Sequence, residues 1–506
     1  MEEAAEQAPQ IDFKAILLFA AILLVVLIPA WIGPVTLDYP MHIARAFIMA
    51  QPQDGTGVSE FYKIDIQPVP NLGMDFLVSS LIKLMPVQVA STLFVTLVVV
   101  LLASGAFALS TVVHKKVTLA AFLPLLALYD QWFLMGFANY LLGLGLGLWA
   151  LALWIRLSAT GRQRQLIFLF VILSALLIIC HLMAFLVTAA AIALIELGKQ
   201  YQGRKLYQIV MLGTFLLCAG IVFISTIRAR DYWGSLAKIE GAIQIVAPTL
   251  DPVSWLMITL PVLGLAVLTV LRKGGLNLVY GQIPLMFLTL FFIGPSQLAG
   301  TAFTTERLSL PLMLLFLSLI DFQNTSLAVR QVVSVGLTAL MALKLLVTSF
   351  YFSAGNEALS TLVKALEPIP QRSTIFSADM GLPHRPPWRA IHQHILNMAT
   401  VDKPRLVAQL FTRRLQQPIL LNDAVHIAKD FQGNNPFEIA QWSQVPDLVD
   451  QARSVQTQLN SRGLPKTDAY FVIYRPRDKA PAKADIPDGS QVVADGDFFT
   501  ILRLDR

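Results

Sequence analysis

The sequence predicts a polytopic α-helical membrane protein with about eleven transmembrane helices. It further predicts a first outer loop holding two interfacial helices, and an extracytoplasmic α/β domain at the C-terminus. Three observations carry this. Of the 506 residues, 56% are hydrophobic and 14% charged, with a mean hydropathy of +0.64; a soluble domain has no use for so much apolar surface. Apolar runs of spanning length recur through residues 1–351. From residue 352 onward, charges, prolines and turn pairs replace them, and no further spanning run occurs.

The elements follow in order. The start, MEEAAEQAPQIDFK, is acidic and lacks a basic n-region or a small-residue cleavage site. The first apolar run is therefore expected to remain as a membrane helix. Spans are predicted near 15–34, 87–113, 117–130, 132–155, 165–180, 182–198, 206–226, 253–271, 276–294, 307–321 and 328–350. The run 165–198 is divided at Cys180-His181, where a tight turn fits best. Basic residues gather in HKK (114–116), RLSATGRQR (156–164), KQYQGRK (199–205) and RK (272–273), all on one side of the membrane under this count. The positive-inside rule makes that side, and the N-terminus, cytoplasmic. The loops 34–86 and 227–252, the turn around Glu306, and the domain 352–506 then lie outside.

In the first outer loop, Pro40 is placed to open a short helix over Met41 to Ala50. A second amphipathic stretch, LGMDFLVSSLIKLMP, ends at Pro86. Both are too short to cross a bilayer and suit its surface. In the C-terminal domain, DAYFVIYRP (468–476) and DGDFFTILRLDR (495–506) alternate as strands do, while NEALSTLVKALEPI and PDLVDQARSVQTQL read as amphipathic helices.

The net charge of +6 sits between apolar runs, so it speaks for membrane orientation and against nucleic acid. Cys180 and Cys218 lie in apolar runs without metal-ligand spacing, and no disulfide is expected. No P-loop, GxSxG elbow, HExxH or CxxC pair occurs, which leaves ATP, serine and zinc chemistry without a motif.

Three clusters could carry chemistry. In TLDYPMHIARAF (36–47), a helix would set Asp38, His42 and Arg45 at i, i+4 and i+7 on one face. A carboxylate beside an imidazole at the interface can act as general base or hold a divalent cation, and an Arg one turn on suits phosphate. An Asp helix cap followed by a snorkelling Arg explains the same residues, and both readings stand. In FTTERLSLP, Glu306 and Arg307 sit at the outer mouth of a span, held there by a substrate or by an interfacial salt bridge. Asp130 falls in the second outer turn, on the side of Asp38, followed by Gly136, Gly143, Gly145 and Gly147, which are expected to let another helix approach. His181 reads as a hydrogen-bonded turn residue. His384, His392 and His394 read as structural, since their spacing suits neither a helical metal site nor a zincin.

With these residues in view, the chain resembles the GT-C glycosyltransferases, integral membrane enzymes that use lipid-phosphate-linked sugars. The likeness rests on the Asp of LDYPMH after the first span, the two interfacial helices of the first outer loop, the many spans, and the outer α/β domain. PNLGMDFLVSSL and GFANYLLGLGLGLWALALW look like a bacterial branch of such proteins. The resemblance implies inverting transfer of a sugar from a polyprenyl-phosphate-linked donor to an envelope glycan, lipid or protein, at the outer face of the inner membrane. It implies Asp38 as the base, with His42, Arg45, Asp130, Glu306 and Arg307 binding substrate or phosphate. Some members carry Asp-Glu or Asp-Asp in the first loop where this chain has Asp38-Tyr39. The cofactor is thus unknown, a divalent cation being one option, and no metal ligand is assigned. The competing readings are a transporter or flippase for a lipid-linked intermediate and an assembly scaffold. Against the transporter, Asp38, Asp130, Glu306 and Arg307 all map to one face instead of lining a mid-membrane path.

Overall fold

The computed structural model describes residues 12–67, 70–159, 162–201, 275–276, 278–294, 296–298, 301–322, 325–382, 392–412, 416–462 and 468–505. The spans expected at 206–226 and 253–271, the 227–252 loop, the basic pair 272–273 and His384 lie outside these residues. The chain forms two compact units, Met1–Pro29 with Thr96–Ser349, and Ala30–Val95 with Phe350–Arg506.

Among the described residues, four helices are long and apolar enough to cross a bilayer: Phe13–Ile32, Val87–His114, Ala138–Ser158 and Leu327–Leu366. Shorter helices, Gln163–Cys180, Leu182–Tyr201, Leu278–Ile293 and Ser309–Leu319, occupy four further expected spans. The break in the long apolar run falls at His181, whose backbone is extended (φ −168°, ψ 125°). Large apolar side chains such as Leu18, Val335 and Leu346 stand more than half exposed, a surface that suits hydrocarbon and not water.

Two expectations in the first unit are corrected. The run 117–130 is not one helix; it makes two 3-10 turns, Leu119–Ala121 and Leu123–Ala127, before Leu128 turns extended. Pro124 has no N–H to give an α-helical ladder. The span expected over 132–155 is also interrupted. Gln131–Leu134 is a separate short helix, and Gly136 (φ +81°) turns the chain before Ala138. Gly136 therefore serves a left-handed turn instead of helix contact. The other glycines do let backbones approach. A Cβ on Gly143 would lie 2.7 Å from Ala184 Cβ, and one on Gly145 would lie 2.9 Å from Leu102 N.

In the second unit, Pro40 lies in the first turn of a helix over Tyr39–Ala50, which packs on a second helix, Gly73–Ile82. Between them β1 (Tyr62–Ile64) leaves the loop and pairs antiparallel with Ile419–Leu421. The central sheet is mixed. Thr374–Asp379 (β2) runs parallel to Leu406–Val407, to Phe437–Glu438 and to Ala469–Tyr474 (β3). Phe499–Leu504 (β4) closes antiparallel on β3, and the edge strand Ser490–Asp495 pairs antiparallel with β4. Every residue of β2 and β3 is buried, the signature of strands covered on both faces. The Val445–Ser461 helix lays Val445, Val449, Ala452 and Leu459 into the same core as Phe376 and Phe471. Each such side chain contributes about 1.5–3 kcal/mol if large. Met41, Ala44 and Ile48 of the Tyr39–Ala50 helix join that core.

The stretch NEALSTLVKALEPI is not a separate helix. It completes Leu327–Leu366, in which no proline interrupts the ladder before Pro368. Buried Arg405 satisfies carbonyls at its end, donating to Leu366 O (2.9 Å) and Ile369 O (2.7 Å).

The close approach at Gly145 is testable. Gly145→Ala is expected to destabilise the protein by about 1–3 kcal/mol through overpacking. Gly336→Ala, where a Cβ meets nothing within 4 Å, is expected to be neutral or slightly stabilising. Thermal unfolding in detergent compares the two, and equal shifts would rule out the packing role.

Candidate functional site

The second unit gathers one polar cluster on the Tyr39–Ala50 helix. Asp38 stands at its N-cap position but makes no side-chain capping bond. Its Oδ1 lies 3.5 Å from His394 Nε2, on the short His392–Ile395 helix. One and two turns further along, His42 and Arg45 are buried, Arg45 completely. Arg45 is not snorkelling. Its Nε and Nη2 donate to Asp75 Oδ1 (3.1 Å) and Oδ2 (3.2 Å), and both partners are 0% exposed.

Arg45 Nη2 also lies 2.5 Å from His42 Nδ1. A guanidinium only donates, so that nitrogen accepts and the His42 proton resides on Nε2. Burial, then the charge of Arg45, then His394 hold the His42 imidazole well below its ordinary range. His42 is accordingly neutral at physiological pH. Arg45 and Asp75 pair with each other. The Asp38 side chain is 24% exposed against 0% for both of them, so of these three charged side chains Asp38 is the one that meets solvent.

The first unit holds a separate cluster. Glu306 and Arg307 are buried in a 3-10 turn that leads into Ser309–Leu319. Ser296 Oγ donates to Glu306 Oε1. Arg307 lies over the Phe137 ring, 4.3 Å from its centroid, and its backbone carbonyl accepts from Tyr140 Oη (2.7 Å). Arg307 Nη1 is 3.1 Å from His181 Nε2, while Met183 N is 3.1 Å from His181 Nδ1. A neutral imidazole accepts at one nitrogen only, so one of these contacts sets donor against donor. Asp130 is buried, caps Gln131–Leu134 by accepting from Phe133 N (3.0 Å), and feels the charge of Lys344. Lys344 Nζ itself donates to Leu126 O (2.6 Å).

Asp38, His42 and Arg45 thus belong to one cluster and Asp130, Glu306 and Arg307 to the other unit. Sequence reasoning passed over two residues of the first cluster. Asp75 carried a signal, because a carboxylate within the apolar stretch GMDFLV requires a buried cation. His394 carried none, being placed beside Asp38 only by the tertiary fold. Among the described residues, no group of three or more His, Cys, Asp or Glu is arranged to hold a metal ion.

The apolar helices and the C-terminal sheet define an integral membrane protein with an α/β unit. No family model matches the chain. No curated protein matches it either. Among solved structures, the crystal structure of ArnT from Cupriavidus metallidurans bound to undecaprenyl phosphate is similar, with a TM-score of 0.47 and 12% identity over 97% of this chain and 98% of that one. At that distance no role passes between the two chains, and the chemistry of the site rests on its own geometry.

The His42 environment fixes a pH dependence. Its folded pKa lies below the ordinary 6.5. As pH falls through 6.5, the unfolded chain takes up a proton that the folded protein refuses, and stability drops. The melting temperature in detergent is expected to fall from pH 7 to pH 5, and to fall less in His42→Gln, which keeps an acceptor for Arg45. Identical slopes in the two proteins would contradict the assignment.

Proposed function

We propose that this protein is a membrane glycosyltransferase that moves a sugar from a polyprenyl-phosphate-linked donor to a cell-envelope glycan, lipid or protein. The reaction takes place at the outer face of the inner membrane and inverts the anomeric centre. The reading is carried by one observation: a partly exposed carboxylate, Asp38, stands at the rim of an otherwise buried and charge-balanced cluster. The likeness of LDYPMH and the surrounding loop to the GT-C enzymes supports it from the sequence side.

In this reaction Asp38 takes the proton of the acceptor hydroxyl as that oxygen bonds to the anomeric carbon. The bond from the anomeric carbon to the lipid phosphate breaks on the opposite face, and the phosphate leaves with the electron pair. His42 and Arg45 act from behind the base. Arg45, paired with Asp75, fixes the His42 ring through Nδ1. Arg307, in the first unit, is proposed as a phosphate ligand, a role that suits a guanidinium. Glu306 and Asp130 are assigned to substrate binding in the same unit. A divalent cation is not required by this scheme.

The test is transfer from a radiolabelled polyprenyl-phosphate sugar in membranes. Asp38→Asn, which keeps the shape of the side chain, is expected to lower kcat on the order of 100- to 10,000-fold with little change in KM. Full transfer by that variant at equal protein level would sink Asp38 as the base. Movement of intact lipid-linked donor across the membrane without transfer would favour a flippase.

A further inference from the structure

We propose that His394, contributed by the C-terminal segment, is the positioning partner of Asp38, so that this segment supplies part of the site. The inference rests on the reading of Asp38 as the base.

Three features lead there. First, Asp38 occupies an N-cap position, where an Asp side chain ordinarily accepts from the helix backbone. Here it makes no such bond, and its Oδ1 stands 3.5 Å from His394 Nε2. Second, the imidazole is carried on a rigid support. His394 is 7% exposed, Ile395 and Leu396 behind it are buried, and Asn397 Nδ2 donates to the His394 carbonyl (3.0 Å). Third, the neighbouring imidazole is committed elsewhere, since His42 Nδ1 accepts from Arg45. The groups facing it from the Tyr39–Ala50 helix are Asp38 and His42, with Arg45 behind His42 and Asp75 behind Arg45. Arg45 and Asp75 balance, and His42 cannot take a proton beside Arg45. His394, by contrast, reaches the Asp38 carboxylate, with Nε2 3.5 Å from Oδ1.

The chemistry follows. His394 Nε2, 3.5 Å from Oδ1, orients the carboxylate that receives the acceptor proton. The proton moves from the hydroxyl to the Asp38 carboxylate, the new bond forms from oxygen to the anomeric carbon, and the phosphate departs with its electrons. His394 exchanges no atom with the substrate. It is a positioning residue, and a misplaced base is expensive: a shift of about 1 Å can cost on the order of 100-fold in rate.

Two measurements on the full-length protein in nanodiscs test this. With histidine labelled in 13C and 15N, the His394 resonance is titrated in the wild type and in Asp38→Asn. Loss of the carboxylate is expected to lower the His394 pKa by about one unit or more; an unchanged titration would overturn the pairing, whatever reaction the protein performs. In the transfer assay, His394→Gln is expected to lower kcat on the order of 100-fold with KM within about twofold, and to move the acid limb of the pH profile. His394→Gly should regain activity with added imidazole. A loss of activity with the pH profile unmoved and no rescue would overturn the positioning role in favour of a packing one. If Asp38→Asn retains transfer, the base assignment fails, while the titration still decides the pairing.

Discussion

The arrangement of the second unit depends on the buried ion pair of Arg45 and Asp75. Two short helices of one loop, Tyr39–Ala50 and Gly73–Ile82, each carry an ionised group to a position with no exposure. Neither group is tolerable there alone, since an isolated buried charge costs several kcal/mol even after relaxation. Two bonds of 3.1 and 3.2 Å pair the guanidinium with the carboxylate and lock the two helices in one register. Apolar packing alone would let them slide. The remaining reach of Arg45 goes to His42, where it dictates the tautomer and keeps the ring neutral. The charged centre thus holds His42 neutral, while Asp38 stands at the rim.

The two polar clusters differ in kind. Around Asp38 the charges are balanced, and the carboxylate has a neutral ring on one side and a titratable ring on the other. Around Arg307, two donors, its own Nη1 and the Met183 N–H, approach the two nitrogens of the His181 ring. A balanced cluster suits a group that must hold one geometry through a proton transfer.

Much of this architecture was legible in the sequence. Apolar runs reported the helices Val87–His114 and Leu327–Leu366 because partition into hydrocarbon depends on composition. Pro40 marked a helix start, and Cys180-His181 marked the break in a run too long for one crossing. The alternation in DAYFVIYRP and FFTILRL marked strands β3 and β4. Hydropathy failed at 117–130, since it sums transfer energies and is blind to Pro124 and to the 3-10 geometry that follows. It missed the turn at Gly136 for the same reason. At the site, Asp38, His42 and Arg45 were visible because helical spacing makes them neighbours. Their partners were not, because Asp75 and His394 come from other elements and no local pattern encodes that meeting.

The short ladder of β1 with Ile419–Leu421 has a consequence for biosynthesis. Tyr62, Lys63 and Ile64 pair with residues made far later in translation, and Asn422 Nδ2 adds bonds to the Ser59 and Glu60 carbonyls (2.9 Å each). Contacts so distant along the chain are slow to form and wait on the last segment to emerge. The loop bearing Asp38 therefore stays incomplete while the membrane helices are being inserted. A product truncated before residue 419 lacks the strand that pairs with Tyr62–Ile64, and with it one fastening of the loop that bears Asp38.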